Sequence, residues 1–311
     1  MEKITKTDQL ILTHLEFNAR ITDRELAKIC KKSKDTIRYR IKRLEALKII
    51  KGYSIFIDQT KLGAMNYKLY LQAHNPQAII AFFDKKPQVF ARFTAYADWN
   101  VGVAVFCASP QEYFLLENEL FTTFGKEIKN LTMTHMMSAR VFTRRTYSAQ
   151  TRSFDVWGDV IPNAIDTIDK QLLILLLKDG RQSVVSLAQN LHIDVNKVRR
   201  KMLHLQEKGI IAKYTTGIDN AKLGFENYKL FITVQDFTPA AENSLIETLS
   251  HIPQCSNIIR MLGPWKIEAE FCCKEYDTFN HILKQLQQHP AIGGMRHTIF
   301  RDERYFPSET V

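Results

Sequence analysis

Between residues 31 and 51 the chain carries nine Lys or Arg against two Asp or Glu. Clustered cations of this kind suit phosphate groups, and guanidinium forks also match the acceptor edge of guanine. Ser33, Lys34, Asp35, Thr36 and Arg38 lead the cluster and would reach base edges. Arg40, Lys42, Arg43 and Lys51 follow and would hold phosphates, with Tyr39 on the same flank. A second, weaker cluster lies in 164–217, with nine Lys or Arg against five Asp or Glu. It offers Asn196, Lys197, Arg199, Arg200, Lys201 and His204. The expected partner is double-stranded DNA.

Other chemistry finds little support. The five cysteines are odd in number and form no C-x-x-C pair, so reduced, partly buried thiols are expected. Nine histidines are scattered without metal-ligand spacing. There is no Gly-rich phosphate loop, nucleophile elbow or paired-carboxylate motif. No catalytic residues, metal or cofactor are therefore expected. No apolar run approaches the ~20 residues that span a bilayer, and the N-terminus lacks a signal-peptide core. The expected location is the cytoplasm, with no membrane partner.

The elements that must position the cations occur twice. Asp8, Leu12, Leu15, Arg20, Leu26, Arg38, Leu44, Ile49-Ile50 and Tyr53 recur 161 residues later as Asp169, Leu173, Leu176, Arg181, Leu187, Arg199, Leu205, Ile210-Ile211 and Tyr214. The same offset carries Asn66-Tyr67-Lys68-Leu69 onto Asn227-Tyr228-Lys229-Leu230, so the chain is a tandem duplication. Three helices fit residues 6–51. The second opens on a Thr22…Glu25 capping box, and the third opens on Ser33 with Ile37, Ile41 and Leu44 facing inward. In the second copy Asp194 takes the place of Ser33 and Arg200 that of Tyr39, so the two readers should prefer different half-sites. The alternating run 49–57 predicts a β-hairpin wing after the third helix. Beyond Gly63 the pattern reads strand, helix, strand, strand, helix, strand, the ferredoxin-like order.

The fold class is accordingly α+β, with two winged helix-turn-helix modules each followed by a ferredoxin-like βαββαβ module. The expected boundaries are 1–58, 59–147, a polar linker 148–163, then 164–219 and 220–311. The two α+β modules could pair within one chain as a pseudo-dimer, or two chains could assemble.

This combination resembles the Lrp/AsnC, or feast/famine, family of transcriptional regulators. The likeness rests on Asp8-x-x-Ile11-Leu12, Arg20, Glu25-Leu26-Ala27, Ser33-x-x-Thr36, Arg40-Ile41-x-Arg43-Leu44-Glu45, Ile49-Ile50-x-Gly52-Tyr53 and Leu62-Gly63. It implies sequence-specific DNA binding, self-association through the α+β domains, and a small effector such as an amino acid. By resemblance the effector would sit near Asp98, Trp99, Asn100, Gly263 and Trp265. Both turns depart from the family's Gly-x-Tyr-Asp, reading Ala97-Asp98-Trp99-Asn100 and Gly263-Pro264-Trp265-Lys266, and each Trp also reads as structural. Lys48 stands where the family has Gly, which the second copy keeps as Gly209. The alternative is a catalytic relative resembling siroheme decarboxylase. Such a protein would cluster His and Arg near the second and third strands of the α+β domain. The chain offers Arg92 and Arg260 there, without a matching His.

Overall fold

The computed structural model of the chain describes residues 4–143 and 152–305. The chain divides into two units, and both repeats contribute to each. Unit 1 comprises Met1–Asp58, Phe142–Phe154 and Asn163–Phe225, and unit 2 comprises Gln59–Val141, Asp155–Pro162 and Glu226–Val311. The modules that alternate along the sequence are therefore grouped by kind, the helix-turn-helix modules in unit 1 and the α+β modules in unit 2.

In unit 1 each repeat supplies three helices and a strand: α1 (Lys6–Phe17), α2 (Asp23–Cys30), α3 (Lys34–Ala46) and β1 (Ile50–Ile57), then α6 (Thr167–Lys178), α7 (Val184–Leu191), α8 (Val195–Glu207) and β7 (Ile211–Ile218). Local chemistry sets the helix starts. Thr5 with Asp8, Thr22 with Glu25, and Asp166 with Asp169 form reciprocal capping boxes. The expected wing hairpin does not form. β1 pairs antiparallel with β7 of the other repeat, Ile55 opposite Tyr214. Alternation identified the strand but could not specify its partner.

That exchange ties the two helix-turn-helix modules together with pseudo-twofold reciprocity. The Asp58 N–H donates to the Ile210 carbonyl, and the Asp219 N–H to the Ile49 carbonyl. Likewise the Ala19 N–H donates to Tyr214 and the Gly180 N–H to Tyr53. Ser54 donates to the Leu177 carbonyl of α6, while Thr215 and Thr216 donate to Glu16 and Leu15 of α1. The repeated arginines complete the clasp. Arg20 donates to Gly180 and Gln182 and lies over the Tyr214 ring, while Arg181 lies over Tyr53 and pairs with Asp23.

Lys48 adopts the left-handed conformation, φ 55°, that Gly209 adopts at φ 70°. The turn is thus the same in both repeats although one of them holds a side chain. Lys48→Gly should stabilise unit 1 by about 0.5–1 kcal/mol, relief of left-handed strain being offset in part by a freer unfolded chain. A urea titration would detect this as a raised midpoint at unchanged slope.

Unit 2 contains the two ferredoxin-like modules: β2 (Met65–Ala73), α4 (Pro76–Phe83), β3 (Val89–Ala95), β4 (Val101–Cys107), α5 (Pro110–Phe124) and β5 (Ile128–Phe142), then β8 (Glu226–Val234), α9 (Pro239–His251), β9 (Cys255–Leu262), β10 (Ile267–Cys273), α10 (Tyr276–Leu286) and β11 (Ile292–Tyr305). Pro76, Pro110 and Pro239 each sit in the first turn of a helix, behind the caps Asn75, Ser109 and Thr238. The helices cover one face of each sheet. There Leu69, Leu71 and Val103 pack with Phe83, Leu116 and Leu120, each worth about 1.5–3 kcal/mol of burial.

The last strand of each module is long enough to serve two sheets. β5 pairs with β2 through its first half and with β9 through Arg140 and its neighbours. β11 pairs with β8 and then, from Phe300, with β3. Eight strands close into a ring, β2-β4-β3-β11-β8-β10-β9-β5, and the α+β modules pair within the chain. A further strand, β6 (Ser153–Val156), lies beside β5. The segment read as an unpatterned linker thus contains a strand, followed by Trp157 packed against Phe90 and Phe106. Residues 148–151 of that segment lie outside the described residues.

Candidate nucleic-acid interface

On α3, Ile37, Ile41 and Leu44 are buried, and Ser33 caps the start by accepting from the Thr36 N–H. The opposite side is exposed through Lys34, Asp35, Arg38, Tyr39 and Lys42. Tyr39 is 69% exposed, which leaves a large amphipathic ring free for a partner. Arg38 remains half-exposed, 3.4 Å from Asp23 and 3.8 Å from Asp35. Thr36 is half-buried and shares a hydrogen bond with Ser33. Lys51 is exposed at the start of β1, 3.8 Å from Asp219.

One cation of each basic cluster is used inside the modules. Arg40 donates to Asp8 at 3.0 Å and to Thr5 at 2.9 Å, with Arg43 3.8 Å from the same carboxylate. Burial alone would raise the Asp8 pKa, but hydrogen bonds from Thr5 and the Arg40 charge hold it below the usual range. In the second repeat Lys201, 161 positions after Arg40, donates to Asp166 at 2.7 Å and Asp169 at 2.9 Å. Burial would lower the Lys201 pKa, yet these two carboxylates raise it. Arg40 and Lys201 therefore fasten α3 to α1 and α8 to α6.

On α8, Asn196, Lys197, Arg199, Arg200 and His204 are exposed, opposite buried Val198, Met202 and Leu205. Asp194 caps the helix by accepting from the Asn196 and Lys197 N–H groups. Arg199 donates to the Asn196 side chain at 3.2 Å. The two helices present unlike faces, one carrying Tyr39 where the other carries Arg200.

The residues at the two central turns of unit 2 are held by partners elsewhere in that unit. Asn100 is locked to both backbone groups of Ala73, at 3.0 and 2.7 Å. Asp98 accepts from Arg296 at 2.6 Å. Trp99 and Trp265 are buried against Tyr70 and Phe231. Gly263 has φ +156°, and an added Cβ would lie 2.9 Å from Thr134. Arg92 pairs with Asp84, and Arg260 pairs with Glu242. The two arginines are not register equivalents, because Arg92 faces Val103 of β4 whereas Arg260 faces Ile267 of β10.

One constellation had not been singled out from the sequence. Inside the ring Glu268, fully buried, accepts from Lys68 at 2.7 Å, Lys229 at 3.0 Å, Tyr70 at 2.6 Å and Trp265 at 3.0 Å. Lys229 also meets Glu270 at 2.7 Å, and Asn257 donates to Glu270. Burial, opposed by Glu268, pushes the Lys68 pKa down to about 8. Burial would raise Glu268, but Lys229 and Lys68 pull it down to about 2. The available signal was identical Lys in two apolar strands, and two glutamates on one face of Ile267-Glu268-Ala269-Glu270-Phe271.

All five cysteines are free thiols. Burial first, then Glu112, raises Cys107 to about 12, and burial and Cys272 raise Cys273 likewise. Among the described residues no group of three or more His, Cys, Asp or Glu could hold a metal ion, and no helix is long and apolar enough to cross a membrane.

A winged helix-turn-helix DNA-binding family model matches residues 4–51 and again 165–212. The transcriptional regulator AzlB of Bacillus subtilis (strain 168) is 28% identical over 133 residues, covering 42% of this chain and 85% of AzlB. The HTH-type transcriptional regulator LrpA of Pyrococcus abyssi is 41% identical over 119 residues, covering 38% of this chain and 83% of LrpA. Over the full length, the fold is similar to the crystal structure of the siroheme decarboxylase NirDL, with a TM-score of 0.66 at 12% identity, covering 98% of this chain and 96% of that one. Single-repeat regulators match about two fifths of the chain, and the helix-turn-helix model matches it twice at the duplication offset; the chain belongs to the Lrp/AsnC family of DNA-binding transcriptional regulators, in tandem-duplicated form.

Proposed function

We propose that unit 1 binds duplex DNA sequence-specifically through α3 and α8 acting as two unlike readers on one chain. The observation that carries this reading is the exposed side of each helix. Lys34, Arg38, Tyr39 and Lys42 on α3, and Asn196, Lys197, Arg199, Arg200 and His204 on α8, stand opposite a buried apolar stripe. Ser33, Asp35 and Thr36 shape the start of α3, Arg43 and Lys51 supply phosphate contacts, and Arg40 and Lys201 act by positioning the helices. Pseudo-twofold packing of the modules predicts half-sites about one helical turn apart, ~34 Å, and of different sequence.

Fluorescence anisotropy against the protein's own upstream DNA and a scrambled duplex, over a salt series, tests this. The expected result is tight binding that weakens steeply with salt while preference for the upstream fragment persists. Equal, weak binding to both duplexes would refute sequence-specific reading.

We read the chain as a regulator without enzymatic activity, working in the cytoplasm where its DNA partner is found. The names of its relatives support this. The whole-length fold match to NirDL motivates one control, in which siroheme is incubated with the protein and the product analysed for decarboxylation. A small effector would have to displace Arg296 from Asp98 at the turns. A second place for one is the groove of about 630 Å³ lined by Arg140, Asp155, Glu247, His251 and Arg260, a volume typical of small-molecule sites. Calorimetric titration with amino acids, on the parent and on Asp98→Ala and His251→Ala variants, decides between these places and none. Further self-association would join whole chains, since the ring within each chain is already closed.

A further inference from the structure

The charges inside the ring are distributed unevenly between the repeats. Strand register makes Lys68 the counterpart of Lys229, Tyr70 that of Phe231, Gly102 that of Glu268, and Ala104 that of Glu270. At these positions each repeat therefore supplies one buried lysine, but only the second supplies carboxylates. The first repeat has no room for one at Gly102, where even a Cβ would lie 1.9 Å from the Phe93 ring. Phe93 in turn faces both ammonium groups, 5.8 Å from Lys68 and 5.2 Å from Lys229. At the rim a second ion pair also crosses between repeats, Arg296 to Asp98, and their counterparts are Thr132 and Pro264.

We propose that this charge set is a pairing code, by which the inner face of the repeat 1 sheet accepts only the sheet of repeat 2. Two copies of repeat 1 face to face would enclose two lysines and no carboxylate. Two copies of repeat 2 would enclose two lysines and four carboxylates. Among the described side chains only the mixed pair is neutral, with two of each and all four bonded. Uncompensated charge in a low-dielectric interior is strongly destabilising, whereas a fully paired set is tolerated. The duplication would thus have been converted from a symmetric self-pairing surface into a directional one, as a buried polar residue fixes partner choice in coiled coils.

The like-with-like interior can be built inside the intact chain. Glu268→Gly with Glu270→Ala places the repeat 1 residues in repeat 2, leaving Lys68 and Lys229 without carboxylates. The melting temperature should fall by roughly 10 °C or more. Adding Lys68→Met and Lys229→Met should recover most of that loss. An unchanged melting temperature in the double variant, or no recovery in the quadruple variant, would overturn the charge argument.

Partner choice is read separately. A protease site inserted among residues 148–151 of the full chain allows the parent and quadruple variants to be nicked, unfolded and refolded together with mass-tagged copies. Native mass spectrometry should find only repeat 1 with repeat 2 for the parent, and additional like-with-like pairs for the quadruple variant. Like-with-like pairs from the parent, or their absence from the quadruple variant, would refute the code.

Discussion

Replacing Lys34, Arg38 and Lys42 together by Ala is expected to lower affinity for the upstream duplex by about 100-fold or more, without shifting the melting temperature. The three side chains lie on the exposed face of α3, and Asp23, the mostly buried partner of Arg38, keeps Arg181 when Arg38 is removed. If Lys42 neutralises a phosphate, the slope of log affinity against log salt should become shallower by about 1. Loss of Arg38 should remove about 1–3 kcal/mol of discrimination at the base it reads. Arg40→Ala should behave in the opposite way. It strips buried Asp8 of its main cation and should cost about 1–3 kcal/mol of stability, with DNA affinity falling only as far as α3 loosens. Anisotropy and thermal melts on the same samples separate the two outcomes. An Arg40→Ala protein with unchanged melting temperature and abolished binding would place Arg40 on the DNA. The corresponding α8 variant, Lys197, Arg199 and Arg200 to Ala, should spare the half-site read by α3. DNase footprinting should then show protection retained on one side only.

Acid should unfold unit 2 through Glu268. Its carboxyl is held at about 2 in the folded protein, against 4.5 for the ordinary group. A carboxylate with a depressed folded pKa contributes stability that is fully present above its unfolded value and is lost as pH falls through the folded one. The loss should therefore develop between about pH 4.5 and pH 2, and should amount to about 3 kcal/mol. Glu270, also lowered by Lys229 and Lys68 after the opposing effect of burial, adds in the same direction. Urea unfolding at pH 7, 4 and 3 provides the measurement. The parent should lose stability steeply across this range, while Glu268→Gln, weaker at pH 7, should show a flatter profile. Equal slopes for the two proteins would mean that Glu268 is not the titrating group.

The same contrast separates what was legible in the sequence from what was not. The tandem repeat, the helix starts and the basic faces of α3 and α8 depend on contacts within three or four residues, and on periodicity that one segment displays by itself. Thr22 with Glu25, Ser33 before Lys34, and the Ile37, Ile41, Leu44 stripe were readable for that reason, and all three stand in the structure. The left-handed turn at Lys48 was visible only through its counterpart Gly209, because a side chain there conceals the conformation. Strand partners were a different matter. An alternating run announces that a strand will form, but its edge can pair with any compatible strand, and β1 found β7 rather than a hairpin of its own. Which cations are free was equally hidden. Arg38 and Arg40 lie two residues apart on one basic helix, yet only the tertiary placement of Asp8 draws Arg40 inward and leaves Arg38 half-exposed. Lys68 and Glu268 stand 200 residues apart, and their bond exists because the ring closes. By itself, then, the sequence determined the duplication, the local elements and the candidate reading faces, since these follow from short-range chemistry. Tertiary structure alone decided which strands pair, which charges are buried, and which repeat completes which, since burial and pairing depend on residues far apart in the chain.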